Sequence, residues 1–160
     1  MMKANAGMKE ILNTLTFGNP LIAPLKSIAD AGFVKKQECY LLRSFAEKLT
    51  NAKRADFQDC TGYECFVNSL HVEDYEKQEP VAQAILLVNK LFFLWNASDS
   101  PLHLTAIISA DELTIVVRFH VKRCSEQWLS DDIDGYSDPV MSVDSDEEIV
   151  SQLIRRGGLA

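Results

Sequence analysis

At 160 residues, with 47% hydrophobic and 24% charged side chains, the chain is sized for one soluble domain with a real core. Its net charge of -7 argues against a nucleic-acid-binding surface, which must be basic, and fits a basic protein as partner. The charge is uneven: residues 1–80 carry a net of -1 and residues 81–160 a net of -6.

Met1–Gly7 is polar and no apolar leader follows it, so the expected compartment is the cytosol. The longest apolar run, Ala84–Trp95, is broken by Asn89 and Lys90 and is too short to span a bilayer, so no membrane is expected. Cys39, Cys60, Cys65 and Cys124 lack zinc-knuckle or redox spacing. In a cytosolic protein they read as reduced, mostly buried small residues.

The N-terminal third reads helical. Met8–Phe17 places Ile11, Leu12 and Leu15 at helical spacing and stops at Gly18-Asn19-Pro20. Pro20–Ala31 sets Leu21, Ile22, Leu25, Ile28 and Ala29 on one face and closes at Gly32. Lys35–Asn51 stripes Cys39, Leu42, Phe45, Ala46 and Leu49 opposite charges, the pattern of a surface helix. Lys53–Gly62 reads as a loop, and Tyr63–Leu70 as a short helix with Phe66, Val67 and Leu70 facing inward.

Pro80 suits a helix start. The helix Val81–Asn96 that follows is apolar almost all round, the mark of a central element. The period then changes from 3.6 to 2. Leu102–Ser109 and Leu113–Val121 read as an antiparallel hairpin, half buried through Leu113, Ile115, Val117, Phe119 and Val121. Val140–Val143 reads as a third strand. A last helix follows, capped by Asp144 or Ser145, with Arg155-Arg156 in its final turn. The expected fold is a single α+β domain over 1–160: N-terminal helices, a central apolar helix packed on a small antiparallel sheet, and a C-terminal helix.

The run Glu126–Glu148 holds nine acids and no Lys or Arg, with Trp128, Tyr136, Val140 and Met141 embedded in it. Such a segment either meets a basic partner or holds a cation. Asp132, Asp134 and Gly135 match a calcium loop in part. Aligned on that glycine, Met141 stands where the closing carboxylate should be, and Pro139 interrupts the register. Trp128 and Tyr136 are either interface anchors or, respectively, a ring tucked under the sheet and a hydroxyl bonded to a turn. His103 and His120, on the two hairpin strands, are candidates for a metal or proton-transfer pair, or a solvent-side polar pair. Cys124 follows Lys122-Arg123 but has no evident base beside it, and no glycine-rich phosphate loop exists.

Arg118-Phe119-His120, Glu126-Gln-Trp-Leu129, Asp132-Ile-Asp-Gly-Tyr136 and Asp138-Pro-Val-Met141 together resemble bacterial toxin-immunity proteins of contact-dependent growth inhibition systems. Phe66–Tyr75 and the helix after it fit the same resemblance, which covers roughly residues 60–145. The resemblance implies a cytoplasmic inhibitor, not an enzyme and without a cofactor, that occludes a basic toxin domain, a nuclease first among candidates. The contact residues expected are Glu126, Trp128, Asp131, Asp132, Asp134, Tyr136 and Asp138. The alternative is a small metal-dependent or hydrolytic enzyme using His103, His120 and nearby acids. A third is a regulatory subunit whose acidic face only solubilises it.

Overall fold

The computed structural model describes residues 2–48 and 51–158. Its elements in chain order are β1 (Lys3–Ala4), α1 (Ala6–Asn13), α2 (Ala23–Ala31), β2 (Phe33–Lys36), β3 (Cys39–Leu42), α3 (Arg43–Ala46), α4 (Cys60–Val67), β4 (Ser69–His71), α5 (Pro80–Ala97), β5 (Leu104–Ala110), β6 (Ile115–Val121), β7 (Val140–Asp144) and α6 (Ile149–Arg156). The fold is α+β. An antiparallel five-stranded sheet runs β1-β7-β5-β6-β4, and β2-β3 form a separate hairpin.

The centre is α5 packed on one sheet face. Ile85, Leu87, Val88 and Leu91 of the helix meet Leu104, Ala106, Ile108, Val117, Phe119 and Met141 of the strands. By length and composition α5 also passes as a membrane span, but most of it is buried within this core. The sheet's second face is also largely covered. Ile107 and Val140 are buried there with Cys65 of α4, under Leu129 and Ile133 of the long β6–β7 connection. The alternation that reads as half-buried thus comes from a strand covered on both sides. Leu113, expected inward, is 84% exposed in the turn before β6. That turn is closed by Asp111, whose carboxylate accepts from the backbone N–H groups of Leu113 and Thr114.

The expected helix over Lys35–Asn51 is a β-hairpin and one short helical turn instead. Gln37 and Glu38 both take positive φ, 52° and 67°, which makes the tight hairpin turn. The apolar spacing of Cys39, Leu42 and Phe45 is helical, but β3 pairs with β2 and is also held by side chains of α4 and its C-cap. Tyr40 N–H donates to Glu64, Leu42 N–H donates to Asn68, and the Asn68 amide donates to Tyr40 O and Phe119 O. Tertiary partners override local pattern here. Leu49 of the expected stripe lies outside the described residues.

The cysteines also depart from expectation. Cys39 and Cys60 are joined by a disulfide that ties the hairpin to the start of α4. Cys65 is free and buried, its thiol pushed up to about 12 by burial, and Cys124 is free and exposed. The short helix begins three residues earlier than read, at Cys60, and turns Phe66 outward at 52% exposure. The edge strands β1 and β4 have no counterpart in the sequence reading. Asp144 and Ser145, expected as caps of α6, bond the sheet instead: Thr105 donates to Asp144, and Leu104 N–H donates to Ser145 Oγ. At the far end of α6, a Cβ on Gly157 would collide with the Phe17 ring, so α6 and the segment after α1 meet through a residue without a side chain.

Candidate functional site: an acidic loop clamped on the sheet

The connection from Lys122 to Pro139 crosses the outer face of the sheet. Leu129 and Ile133 point down onto Ile107, Val140 and Cys65. Asn5 holds the far end. Its side-chain amide donates to Tyr136 O and Asp138 O, at 3.3 and 2.8 Å, and its carbonyl oxygen accepts from Val140 N–H and Met8 N–H. One buried asparagine therefore caps α1 and fastens the loop to the edge of the sheet. A turn inside the loop is closed by Ser130 N–H donating to the Tyr136 hydroxyl at 2.9 Å.

What points down fixes what points out. Asp131, Asp132, Asp134 and Asp138 are exposed. Trp128 and Tyr136 keep 44% and 38% of their surface open while remaining anchored. The Arg118 guanidinium lies 5.7 Å from the centre of the Trp128 ring. Tyr136 thus combines both sequence alternatives: its hydroxyl bonds a turn and its ring stays accessible. Residues 133–135 form one 3-10 turn, and Met141 lies in β7.

Glu126 is placed differently. Its carboxylate accepts from Thr61 N–H and the Thr61 hydroxyl, at 3.1 and 2.9 Å, at the N-terminus of α4. An anion is favourable there because the first N–H groups of a helix lack partners within it. Glu126 therefore joins loop to helix, and the other six expected contact residues form the outward face.

Beside it stands a buried ion pair. Glu64 is fully buried and accepts from Arg123 through both oxygens, at 2.9 and 2.7 Å, and from the backbone N–H groups of Tyr40 and Val121. The hydrogen bonds that Arg123 donates to Glu64 raise the Arg123 pKa above its ordinary value. The trio Cys39, Cys60 and Glu64 converges closely enough to hold a metal, but the disulfide and Arg123 engage all three.

The two expected histidines do not face one another. The register sets His120 opposite Thr105, while His103, exposed before β5, accepts from Lys122 N–H through its carbonyl. Among the described residues, the groups of three potential ligands that converge contain neither histidine. His120 is 6% exposed, and burial lowers its pKa. Asp144, Asp146 and Glu147 converge near the start of α6. Burial pushes the Asp144 carboxyl up, but hydrogen bonds from Lys122 and Thr105 outweigh it and hold the group below its usual range.

Between the loop and the outer sheet face lies a cleft of about 290 Å³, lined by His120, Thr105, Lys3, Ser142 and loop residues including Asp131. Nothing local in the sequence joins positions 3, 105, 120 and 142. They meet through strand register alone.

Fold and site thus define an α+β domain that carries an anchored, acidic, aromatic-bearing loop over one sheet face. The chain belongs to the uncharacterized protein PM0498 family, whose family model matches residues 3–154. No curated protein and no solved structure matches it.

Proposed function

We propose that this protein is a cytoplasmic immunity protein that binds and neutralises a basic toxin domain, a nuclease first among candidates, without catalysing a reaction itself. One observation carries the reading: Trp128, Asp131, Asp132, Asp134, Tyr136 and Asp138 face solvent together on a loop whose other side is pinned to the sheet. Pre-ordering removes much of the entropic penalty of docking. Acids steer a basic partner into encounter, and the two half-open aromatics supply apolar anchors. A nuclease is basic where it holds phosphates, so an acidic inhibitor would cover the surface that its substrate needs.

The test is a survival assay. The product of the reading frame adjacent to this chain's gene is expressed with the wild-type chain, or with the variant carrying Asp131→Lys, Asp132→Lys and Asp134→Lys. Protection by the wild type, lost in a variant that still folds, is the expected result. Equal protection by both would remove the loop from the interface. A harmless neighbouring product would count against the immunity role.

A further inference from the structure

The cleft beneath the acidic loop is built from two cross-strand rows on the outer face of the sheet. In one, His120, Thr105 and Asp144 stand side by side across β6, β5 and β7. In the next, Ile107, Ser142 and Lys3 do so across β5, β7 and β1. Directly opposed residues on antiparallel strands share a face, so both rows face the loop.

The protonation of His120 follows from its partner. Its Nδ1 lies 2.9 Å from Val121 O, and a carbonyl only accepts, so Nδ1 carries the hydrogen and Nε2 holds a free lone pair. Nε2 has no hydrogen-bond partner among the described residues. Among the described residues no fully enclosed side-chain nitrogen or oxygen lacks one, so Nε2 opens into the cleft that His120 lines. A histidine more than nine-tenths buried thus presents an unused acceptor to a cavity.

The other groups sort by what already engages them. Thr105 donates to Asp144 at 2.7 Å, and Lys122 donates to the second Asp144 oxygen at 2.7 Å. Arg123 is held by Glu64, and Glu126 by α4. Among the described residues, the side chains of Lys3, Ser142 and Asp131 have no such partner. The cleft therefore offers one ammonium beside one hydroxyl, one carboxylate on the opposite wall, and one neutral acceptor at a buried position.

We propose that this cleft is a binding site for a small zwitterion of the amino-acid type. The ligand's carboxylate pairs with Lys3 and the Ser142 hydroxyl, and its ammonium donates to Asp131 and His120 Nε2. The ligand carries no net charge, which matches a wall with one unengaged charge of each sign. A volume near 290 Å³ suits a molecule of that size. A metal is disfavoured, since among the described residues no converging group of ligands includes His120. Asp131 is shared with the proposed toxin-binding face, but the test uses the isolated chain and needs no toxin.

The experiment follows the His120 ring resonance, assigned with a His120→Gln variant, in the isolated full chain. The probes are L-serine and L-glutamine, with propionate and ethylamine as controls that each lack one charge. The expected result is a saturable shift with at least one amino acid and none with either control at equal concentration. Lys3→Ala and Asp131→Ala should each weaken that binding at least tenfold, with the fold checked by circular dichroism. No saturable shift with either amino acid overturns the proposal. So does an equal shift with propionate, or binding indifferent to both substitutions.

Discussion

Arg123 and Glu64 form a two-pronged ion pair in which the carboxylate is wholly buried, and they join the end of β6 to α4. Glu64 also accepts from Tyr40 N–H, so one carboxylate links α4, the β2–β3 hairpin and the sheet. Removing Arg123 leaves a buried anion without its cation, a loss of about 3–5 kcal/mol. Arg123→Ala should therefore lower unfolding stability by that order in a urea titration. Arg123→Lys should recover only part of it, since an ammonium cannot make the paired contact. A loss under about 1 kcal/mol for Arg123→Ala would show that the pair does not hold these elements together.

The Cys39–Cys60 bond closes a separation of 21 residues. A loop of that size constrains the unfolded chain by roughly 3 kcal/mol. Reduction should lower the denaturation midpoint accordingly, and a Cys39→Ser, Cys60→Ser double variant should no longer respond to reductant. Thiol trapping in intact cells tests the compartment as well. A cytosolic chain should yield reduced Cys39 and Cys60, because disulfides rarely persist there. A fully oxidised pair in cells would move the chain to an oxidising compartment.

His120 makes stability depend on pH with a defined sign. Its folded pKa is lowered by burial from 6.5, so the unfolded chain binds the proton more readily. The contribution is complete above about pH 6.5 and is lost as pH falls from there through the lower folded value. Asp144, lowered from 3.8, adds a second loss at more acidic pH. His120→Gln should flatten the decline just below pH 6.5 and leave the more acidic one in place. An unchanged profile in that variant would show that His120 is not protected as the fold implies.

Tyr136→Phe should loosen the loop without unfolding the protein. It removes the acceptor of Ser130 N–H, a hydrogen bond at an exposed turn worth about 1 kcal/mol. Hydrogen exchange at the Ser130 amide should rise while global stability falls by no more than about 1 kcal/mol. Unaltered exchange there would mean that Leu129 and Ile133 alone order the loop.

The elements legible in the sequence are those whose partners lie along their own period. α5 announces itself by an apolar run with Pro80 at its start, and β5 and β6 by a period of two. The β2–β3 hairpin is hidden because Cys39, Leu42 and Phe45 mimic a helical stripe, while Glu64 and Asn68, which accept from Tyr40 N–H and Leu42 N–H, lie more than twenty residues away. β1 and β4 have two and three residues and exist only through pairing with β7 and β6. The acidic loop was legible as composition, and six of its seven expected contact residues face outward. Glu126 was not separable from the rest, since its role depends on Thr61, 65 residues away. The cleft was illegible for the same reason, being assembled from register between distant strands.

The loop from Trp128 to Asp138 is proposed to dock a basic protein. The most direct measurement is the affinity of the adjacent reading frame's product for the wild-type chain and for the Asp131→Lys, Asp132→Lys, Asp134→Lys variant, each at low and at physiological salt. Exposed charges are screened beyond roughly 10 Å at 0.1 M salt. Tight wild-type binding that weakens with salt is the expected result, with a variant whose binding falls by at least a hundredfold at low salt. Equal affinity of the two proteins, with no salt dependence in the wild type, would contradict it.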